Sequence, residues 1–178
     1  MTAFQEEWPG LTVFMTWAYS IPWEDRWGGK RSLAEEPNGL LKPFLDGMLD
    51  VAEDGTTIVD GHEFSYGYKD SMQFVNALLT MKSVLPAFAA DSNKYRAHVS
   101  ASFGIWLDRG GHGYGWDENN LTKNYFTPDT LEIVLRQALA LADRYVWLYS
   151  QQPRWWTEEG KPAHLPAAYD AAIRRARR

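Results

Sequence analysis

Three acidic residues stand where a strand is predicted to end, and they are the candidates for acid–base chemistry. Glu63 lies in the segment IVDGHEFSYGY, directly after a predicted strand and among aromatic side chains that can raise the pKa of its carboxyl group. Asp60 in the same segment and Asp108 in LDRGG are the next two candidates. A pair of carboxyl groups can cleave a glycosidic bond when one of them stays protonated. We therefore predict Glu63, Asp60 and Asp108 as catalytic residues.

Each of these acids also has a purely structural interpretation. Asp60 precedes Gly61, as a turn residue does. Asp108 can cap its own loop or pair with Arg109, and Glu63 can be a solvated loop residue. Both interpretations remain open for all three residues at this stage.

Aromatic residues are unusually frequent, with nine Trp, nine Tyr and eight Phe making up 15% of the 178 residues. Leu, Ile and Val build a core without burying a polar N–H or O–H group, so surplus Trp and Tyr indicate a surface that meets a flat, partly polar ligand such as a sugar. The predicted substrate-binding residues are Trp17, Tyr19, Trp23, Tyr66, Tyr68, Trp106, Tyr149, Gln151, Trp155 and Trp156.

The sequence context divides the tryptophans into two groups. Core packing is the favoured interpretation for those inside apolar strands, which are Trp17, Trp106 and Trp147. Ligand binding is the favoured interpretation for those in polar loops, which are Trp23, Trp155 and Trp156.

Four strands are predicted, each followed by a helix. The strands cover residues 11–20, 56–59, 98–107 and 145–150, and the first is apolar enough to be buried on both faces. The helices cover residues 40–52, a stretch capped by Asp70 and interrupted at Pro86, a stretch with Thr127 as N-cap before Pro128, and residues 165–178. Long loops after the strands and shorter connections after the helices favour parallel strands with right-handed crossovers.

This pattern predicts an α/β protein of four βα units, which is half of a (β/α)8 TIM barrel because a complete barrel needs about 250 residues. Residues 3–9 are typical of the end of a helix that precedes the first strand, so residues 1–178 are predicted to be a single domain or fragment, the C-terminal half of such a barrel. A doubly wound open sheet fits less well, since the Gly-rich segment 110–115 opens no nearby helix.

Four segments carry a resemblance to bacterial TIM-barrel proteins of glycoside-hydrolase type: LTVFMTWAYSIPW, IVDGHEFSYGY, SFGIWLD with KNYFTP after it, and YVWLYSQQPRWW. The resemblance implies a carbohydrate-active barrel whose active-site face lies at the ends of these strands. In similar sequences an acid follows the last strand, whereas Gln151 stands here. An amide can bind a sugar hydroxyl but cannot act as a carboxylate nucleophile or as a proton donor at neutral pH.

The predicted function is therefore glycosidic bond hydrolysis by paired carboxylates. One alternative is a non-catalytic carbohydrate-binding half-barrel. The other is a metal-dependent sugar isomerase or hydrolase, for which Asp60, His62, Glu63, Asp108 and His112 offer ligands without an HxH or HExxH motif. No metal or other cofactor is predicted, and the lack of cysteine removes thiolate chemistry.

The expected partners are a carbohydrate and either the N-terminal half of the barrel or a second copy of the chain. A formal charge of −5 does not indicate a nucleic-acid surface, and no apolar run reaches the roughly 18 residues needed to cross a bilayer. The sequence leaves the cellular location open.

Overall fold

A computed structural model describes residues 1–25, 31–110, 116–155 and 165–178. Its strands are β1 (Thr12–Met15), β2 (Thr57–Asp60), β3 (Val99–Ala101), β4 (Phe103–Trp106) and β5 (Val146–Tyr149). All observed pairings are parallel. The pairs β1–β2 and β2–β3 form one sheet, and β4–β5 forms another. The protein is therefore a mixed α/β protein with small parallel sheets.

The last strand of the first sheet, β3, and the first strand of the second sheet, β4, are separated in the chain by Ser102 alone. The first part of this stretch pairs with β2, and the Ser102 amide donates to the Asp60 carbonyl at 2.9 Å. The second part pairs with β5 instead. The third predicted strand is thus divided by a change of pairing partner, from β2 on one side to β5 on the other.

The helices are α1 (Thr2–Glu7), α2 (Ser20–Asp25), α3 (Leu41–Asp50), α4 (Ser71–Leu79), α5 (Leu85–Phe88), α6 (Ser92–His98), α7 (Pro128–Leu141) and α8 (Ala167–Ala176). Short 3-10 turns cover Leu33–Glu35, Glu63–Gly67 and Leu121–Lys123, and a π-helical turn covers Thr80–Val84. No described helix has the length and apolar character that a membrane crossing requires.

Local sequence signals set several helix boundaries. The predicted cap at Asp70 is confirmed, since its carboxylate accepts a hydrogen bond from the Met72 amide and forms a capping box with Gln73. Thr127 caps α7 by accepting from the Thr130 amide, and Pro128 occupies the first helical position, as predicted.

The predicted interruption at Pro86 takes a different form. Instead of stopping, the helical backbone widens into the π-helical turn and continues as α5, with proline in its first turn. A proline has no amide hydrogen, so it is tolerated where a new helical turn begins.

Successive side chains point to opposite sides along each strand, so the sheets have two different faces. Val13, Ile58, Phe103 and Ile105 belong to the hydrophobic core or pack against it, together with apolar side chains of α3, α4 and α7. Residues at the intervening positions, such as Phe14, face the other way. Aromatic rings meet on this second face, which we call the aromatic face: Phe14, Tyr66, Trp106, Tyr145, Trp147 and Tyr149.

Two glycines make room for the indole of Trp147 on this face. A methyl group at Gly104 would lie 2.6 Å from the ring, and one at Gly61 would lie 3.1 Å from its nitrogen. The same nitrogen donates a hydrogen bond of 2.8 Å to the Gly61 carbonyl. The ring therefore lies across the neighbouring strand, where a side chain would otherwise stand.

The prediction for the first strand is wrong in extent and in burial. The strand ends at Met15, and the chain turns into α2 from Ser20, where a loop was expected. Phe14 remains 41% exposed, because the aromatic face is not closed over β1. The helix α6, which ends immediately before β3, was not predicted.

Candidate functional site

A cleft of about 420 Å³ lies where the chain leaves β1, β2 and β4. It is lined by Trp17, Ile21, Asp25, Asn38, Glu63, Phe64, Tyr66 and Arg109. Aromatic rings, two carboxyl groups, an amide and a guanidinium group thus share one cavity. Binding sites for small polar molecules have this composition, with flat apolar walls and a few polar groups that fix orientation.

Glu63 is the acid that the sequence ranks first, and the structure places it in this cleft. It opens the 3-10 turn Glu63–Gly67, directly after a sharp change of direction at His62, whose φ of 42° is left-handed. Partial burial raises the pKa of the Glu63 carboxyl group, and a hydrogen bond with Tyr66 acts in the opposite direction. The group is thereby biased toward the protonated form that a proton donor needs.

Asp25, at the end of α2, supplies the second carboxylate of the cleft. The side-chain amide of Asn38 donates a hydrogen bond of 2.6 Å to it. This contact holds the Asp25 carboxylate in place. The neighbouring Glu24 has a raised pKa, first through burial and then through the charge of Asp25.

Arg109 brings a positive charge to the cleft. Its guanidinium lies close to Gly67, where an added methyl group would be only 2.7 Å away. The group also faces the ring of Tyr125 at 5.4 Å, and the Tyr125 hydroxyl donates to the Gly67 carbonyl at 2.7 Å. A glycine at position 67 is therefore what lets Arg109 approach the turn that carries Glu63.

Asp60, the second predicted acid, lies outside the cleft lining and is fully buried. Its carboxylate accepts from the Ser20 amide at 2.8 Å, the Ser20 hydroxyl at 2.6 Å and the His62 amide at 3.1 Å. Burial raises the pKa of Asp60, and these hydrogen bonds oppose the rise. The residue ties the start of α2 to the end of β2, so it positions the two segments that carry Asp25 and Glu63.

Asp108, the third predicted acid, is buried and anchors the loop after β5. It accepts from the amides of Gln151 at 3.0 Å and Gln152 at 2.7 Å, and from the indole N–H of Trp106 at 3.0 Å. Asp108 thus has a structural role, although it holds the loop after β5 and not its own loop as the structural interpretation expected. Gln151 is exposed, with its backbone held by this carboxylate.

The first strand's early end changes the positions of three predicted binding residues. Trp17 is 45% exposed and lines the cleft, so its predicted place in the core is wrong. Tyr19 lies fully buried in the core, where its hydroxyl donates to Asp46 at 2.8 Å. Trp23 packs against the core and meets Phe88 edge to face, which differs from the predicted exposed platform.

Tyr66 connects the cleft to the aromatic face. Its ring stacks on Tyr149 at a centroid distance of 5.6 Å and meets Trp106 and Trp147 at 5.8 and 5.2 Å. Burial raises the pKa of Tyr66, so its hydroxyl remains a neutral donor at physiological pH. Among these residues, Tyr66 is the one that reaches the cleft lining, whereas Trp106 and Tyr149 support it from the strands.

Tyr68 is directed toward His62 instead of the cleft. Its hydroxyl lies 3.1 Å from Nε2 of that histidine, and its ring packs on Phe74. Burial lowers the pKa of His62 to about 4, and its Nδ1 atom has no hydrogen-bond partner among the described residues. His62 is therefore neutral near pH 7 and acts as a structural element of the turn before Glu63.

Trp155 lies beside a second hollow of about 530 Å³ at the end of β5, which Gln151 and Arg154 also line. Its indole N–H donates to the Ser150 hydroxyl at 3.1 Å. This hollow and the cleft around Glu63 have no lining residue in common. Trp156, the remaining predicted binding residue, lies outside the described residues, as does His112.

Asp25, Asn38 and Arg109 line the cleft but are not among the predicted site residues. Asn38 lies in the loop before α3, more than twenty residues along the chain from the ends of β1, β2 and β4, and nothing in its local sequence indicates a ligand contact. Its role becomes visible only through the hydrogen bond with Asp25.

The described residues contain no group of three or more His, Asp or Glu side chains placed to hold a metal ion. Comparison with protein-family models, curated proteins and solved structures gives no significant match to this chain. The function must therefore be argued from the geometry of the cleft.

Proposed function

We propose that this protein is carbohydrate-active, that the cleft binds a glycan, and that Glu63 donates a proton during hydrolysis of a glycosidic bond. One observation carries the proposal. A partly buried glutamate with a raised pKa shares a cavity with a second carboxylate, Asp25, and with three aromatic side chains. Glycoside hydrolysis needs this combination of a protonated acid, an ionised carboxylate and a surface for the sugar ring.

The cleft offers complementary contacts for a sugar. Trp17, Phe64 and Tyr66 provide flat apolar surfaces for the C–H faces of a sugar ring, and Trp17 and Phe64 are exposed enough to be reached. Arg109 and Asn38 supply N–H donors for hydroxyl oxygens. A cavity of about 420 Å³ is of the size that small-molecule sites commonly have.

The chemistry assigns different roles to the two carboxyl groups. The bond between the anomeric carbon and the glycosidic oxygen breaks while Glu63 transfers its proton to the departing oxygen. Asp25, whose carboxylate is held by the hydrogen bond from Asn38, faces the positive charge that develops on the sugar ring. The oxygen of a water molecule then bonds to the anomeric carbon, and the proton that the water loses returns to Glu63 for the next turnover.

We further propose that the fold is half of a (β/α)8 barrel. The strands are parallel, their pairing follows their order in the chain, and the third stretch pairs with neighbours on both sides. Phe14 near one edge lies 6.2 Å from the rings of Tyr145 and Trp147 near the other. Strands in a flat sheet are about 4.8 Å apart, so three spacings would separate these strands by roughly 14 Å. The ring contacts between β1 and β5 are easier to reach if the strands curve toward each other, so they support a curved sheet with the aromatic face inside.

The catalytic test is Glu63→Gln, which keeps the shape and hydrogen bonding of the side chain but removes the transferable proton. Turnover of a natural oligosaccharide identified by glycan-array binding should fall about 10²-fold or more, with the dissociation constant nearly unchanged. A substrate with an activated aryl leaving group should lose much less, because its departure needs little protonation. Asp25→Asn should reduce turnover of both substrates.

Asp117→Asn is a matched control, since this acid lies in the loop before α7 and outside the cleft lining. It should leave turnover unchanged. Full activity of Glu63→Gln on the unactivated substrate would exclude Glu63 as the acid. Loss of activity on adding a chelator would favour the metal-dependent alternative.

A non-catalytic carbohydrate-binding protein is the second candidate. It is favoured by the amide at position 151 and by the hydrogen bonds that occupy Asp60 and Asp108, two of the three acids that the sequence offers for catalysis. Trp17→Ala should then weaken glycan binding by about 1 to 3 kcal/mol, while Trp155→Ala, beside the other hollow, should have a smaller effect. Binding without any turnover would establish this candidate, and equal losses from both variants would argue against the cleft as the glycan site.

A further inference from the structure

The two outermost strands leave unpaired edges with apolar grooves beside them. Among the described residues, β1 pairs with β2 alone and β5 with β4 alone. The groove along β1 has a volume of about 640 Å³ and includes Leu40, 85% exposed, and Phe44, 59% exposed. The groove along β5 has about 670 Å³ and lies against Leu139 of α7 and Ile173 of α8. Unpaired strand edges beside exposed apolar surface are typical of interfaces.

We propose that a second copy of this chain covers both edges, so that two copies form a closed eight-stranded barrel. The strands are all parallel, so a barrel can continue only if the β1 edge of one copy meets the β5 edge of the other. If a twofold axis relates the two copies, the β1 edge of each copy pairs with the β5 edge of the other. Counting β3 and β4 as one continuous stretch, each copy supplies four strands, and eight is the number that closes a (β/α)8 barrel.

The charges at the two edges are complementary. The segment before β1 is acidic, since exposed Glu6 and Glu7 end α1 just ahead of it. The groove at the start of β5 contains Arg144 and Arg177, which are both exposed. Parallel pairing places the starts of β1 and β5 side by side. The acidic end of one copy would then face the basic groove of the other, twice in each dimer.

The aromatic face gives the same second copy a further role. Phe14 remains 41% exposed on this face, although its position corresponds to the interior of a closed barrel. In (β/α)8 barrels, side chains from alternate strands fill the interior in layers. The strands of the second copy would supply the missing side chains and cover Phe14.

This inference rests on the half-barrel proposal and not on carbohydrate binding, so the two can fail separately. Light scattering coupled to size-exclusion chromatography should find twice the chain mass of 20.4 kDa at micromolar concentration. A folded monomer would overturn the inference, and so would a larger or open-ended assembly. A monomer that still binds a glycan would refute the dimer and leave the proposed function standing.

Charge reversal tests the predicted contact. The acidic-edge variant Glu6→Arg/Glu7→Arg and the basic-edge variant Arg144→Glu/Arg177→Glu should each raise the dimer dissociation constant about tenfold or more. An equimolar mixture should restore dimers, because both interfaces of the mixed dimer are again complementary. Arg96→Glu, on the exposed side of α6, is the control and should leave the mass unchanged. Failure of the mixture to recover, with both variants folded by circular dichroism, would overturn the predicted pairing of edges.

Cross-linking tests the orientation, and the absence of native cysteine gives a clean background. Mixed Glu7→Cys and Arg177→Cys chains should form a disulfide between the two variants upon mild oxidation. Chains carrying Glu7→Cys alone should cross-link slowly, since the two copies of this position lie at opposite interfaces. Faster cross-linking of Glu7→Cys with itself would show that β1 meets β1, which contradicts the proposed barrel.

Discussion

Replacing Gly104 by alanine should destabilise the protein, because the indole of Trp147 occupies the space where a side chain would stand. The added methyl group would lie 2.6 Å from Cε2 and 2.7 Å from Cζ2 of that ring. The ring cannot move away freely. Its N–H donates to the Gly61 carbonyl at 2.8 Å, and its faces and edges meet Phe14 and Tyr66. Relief of the clash therefore displaces a side chain that is held on several sides.

The expected cost follows from three contributions. Overpacking of this kind costs about 1 to 3 kcal/mol, and disturbing the hydrogen bond of the indole adds about 0.5 to 1.5 kcal/mol. Alanine restricts the unfolded chain more than glycine does, and this effect raises the free energy of unfolding by about 0.4 to 1 kcal/mol. The free energy of unfolding should thus fall by about 2 kcal/mol, equivalent to a decrease of roughly 4 to 8 °C in melting temperature for a chain of this length.

Urea unfolding followed by circular dichroism measures this change, at one fixed protein concentration because the proposed dimerisation would shift apparent stability. Gly47→Ala is the matched control, since Gly47 is exposed within α3 and an added methyl group there meets nothing within 4 Å. This variant should gain about 0.4 to 1 kcal/mol. Combining Gly104→Ala with Trp147→Leu should cost less than the sum of the two single changes. A neutral or stabilising Gly104→Ala, alongside the expected gain at Gly47, would refute the packing described for Trp147.

Two further predictions concern the turn before Glu63 and the cap of α4. Burial lowers the pKa of His62 from 6.5 to about 4, so the unfolded chain takes up the proton first as the pH falls, and stability should decrease by about 3 kcal/mol between pH 6.5 and 4. The variant His62→Asn, whose side chain tolerates the left-handed backbone, should lose this part of the pH dependence. If the variant and the parent protein lose the same stability between pH 6.5 and 4, His62 is not the cause of the decrease. Asp70→Ala should cost about 1 kcal/mol through loss of the capping box of α4, whereas Asp54→Ala at an exposed turn should change stability little. Equal urea midpoints for Asp70→Ala and the parent protein would exclude a stabilising cap.

Signals that act within a few residues were readable from the sequence. The caps at Asp70 and Thr127, the proline that opens α7, and the strand ending at Asp60 depend on neighbouring residues, and the structure shows them where the pattern predicted them. Placing Glu63 immediately after that strand also sufficed to bring it to the cleft. Local backbone chemistry determines the two caps and the start of α7, because the bonds that satisfy them reach residues within one helical turn. The strand β2 is readable from its apolar pattern, although its backbone bonds go to β1 and β3.

Tertiary structure decided which of the predicted acids and aromatics reach the cleft. Asp60 and Asp108 are candidates after Glu63 in the sequence, yet their carboxylates are bound by donors some forty residues away, at Ser20 and at Gln151 and Gln152. Trp17 and Tyr19 differ by two positions, but one lines the cleft and the other is buried, because the chain leaves β1 after Met15 and turns into α2. The pairing of Asp25 with Asn38 is likewise set by packing. Residue types reveal what a side chain can do, whereas burial and distant hydrogen-bond partners determine which side chains remain available to a ligand.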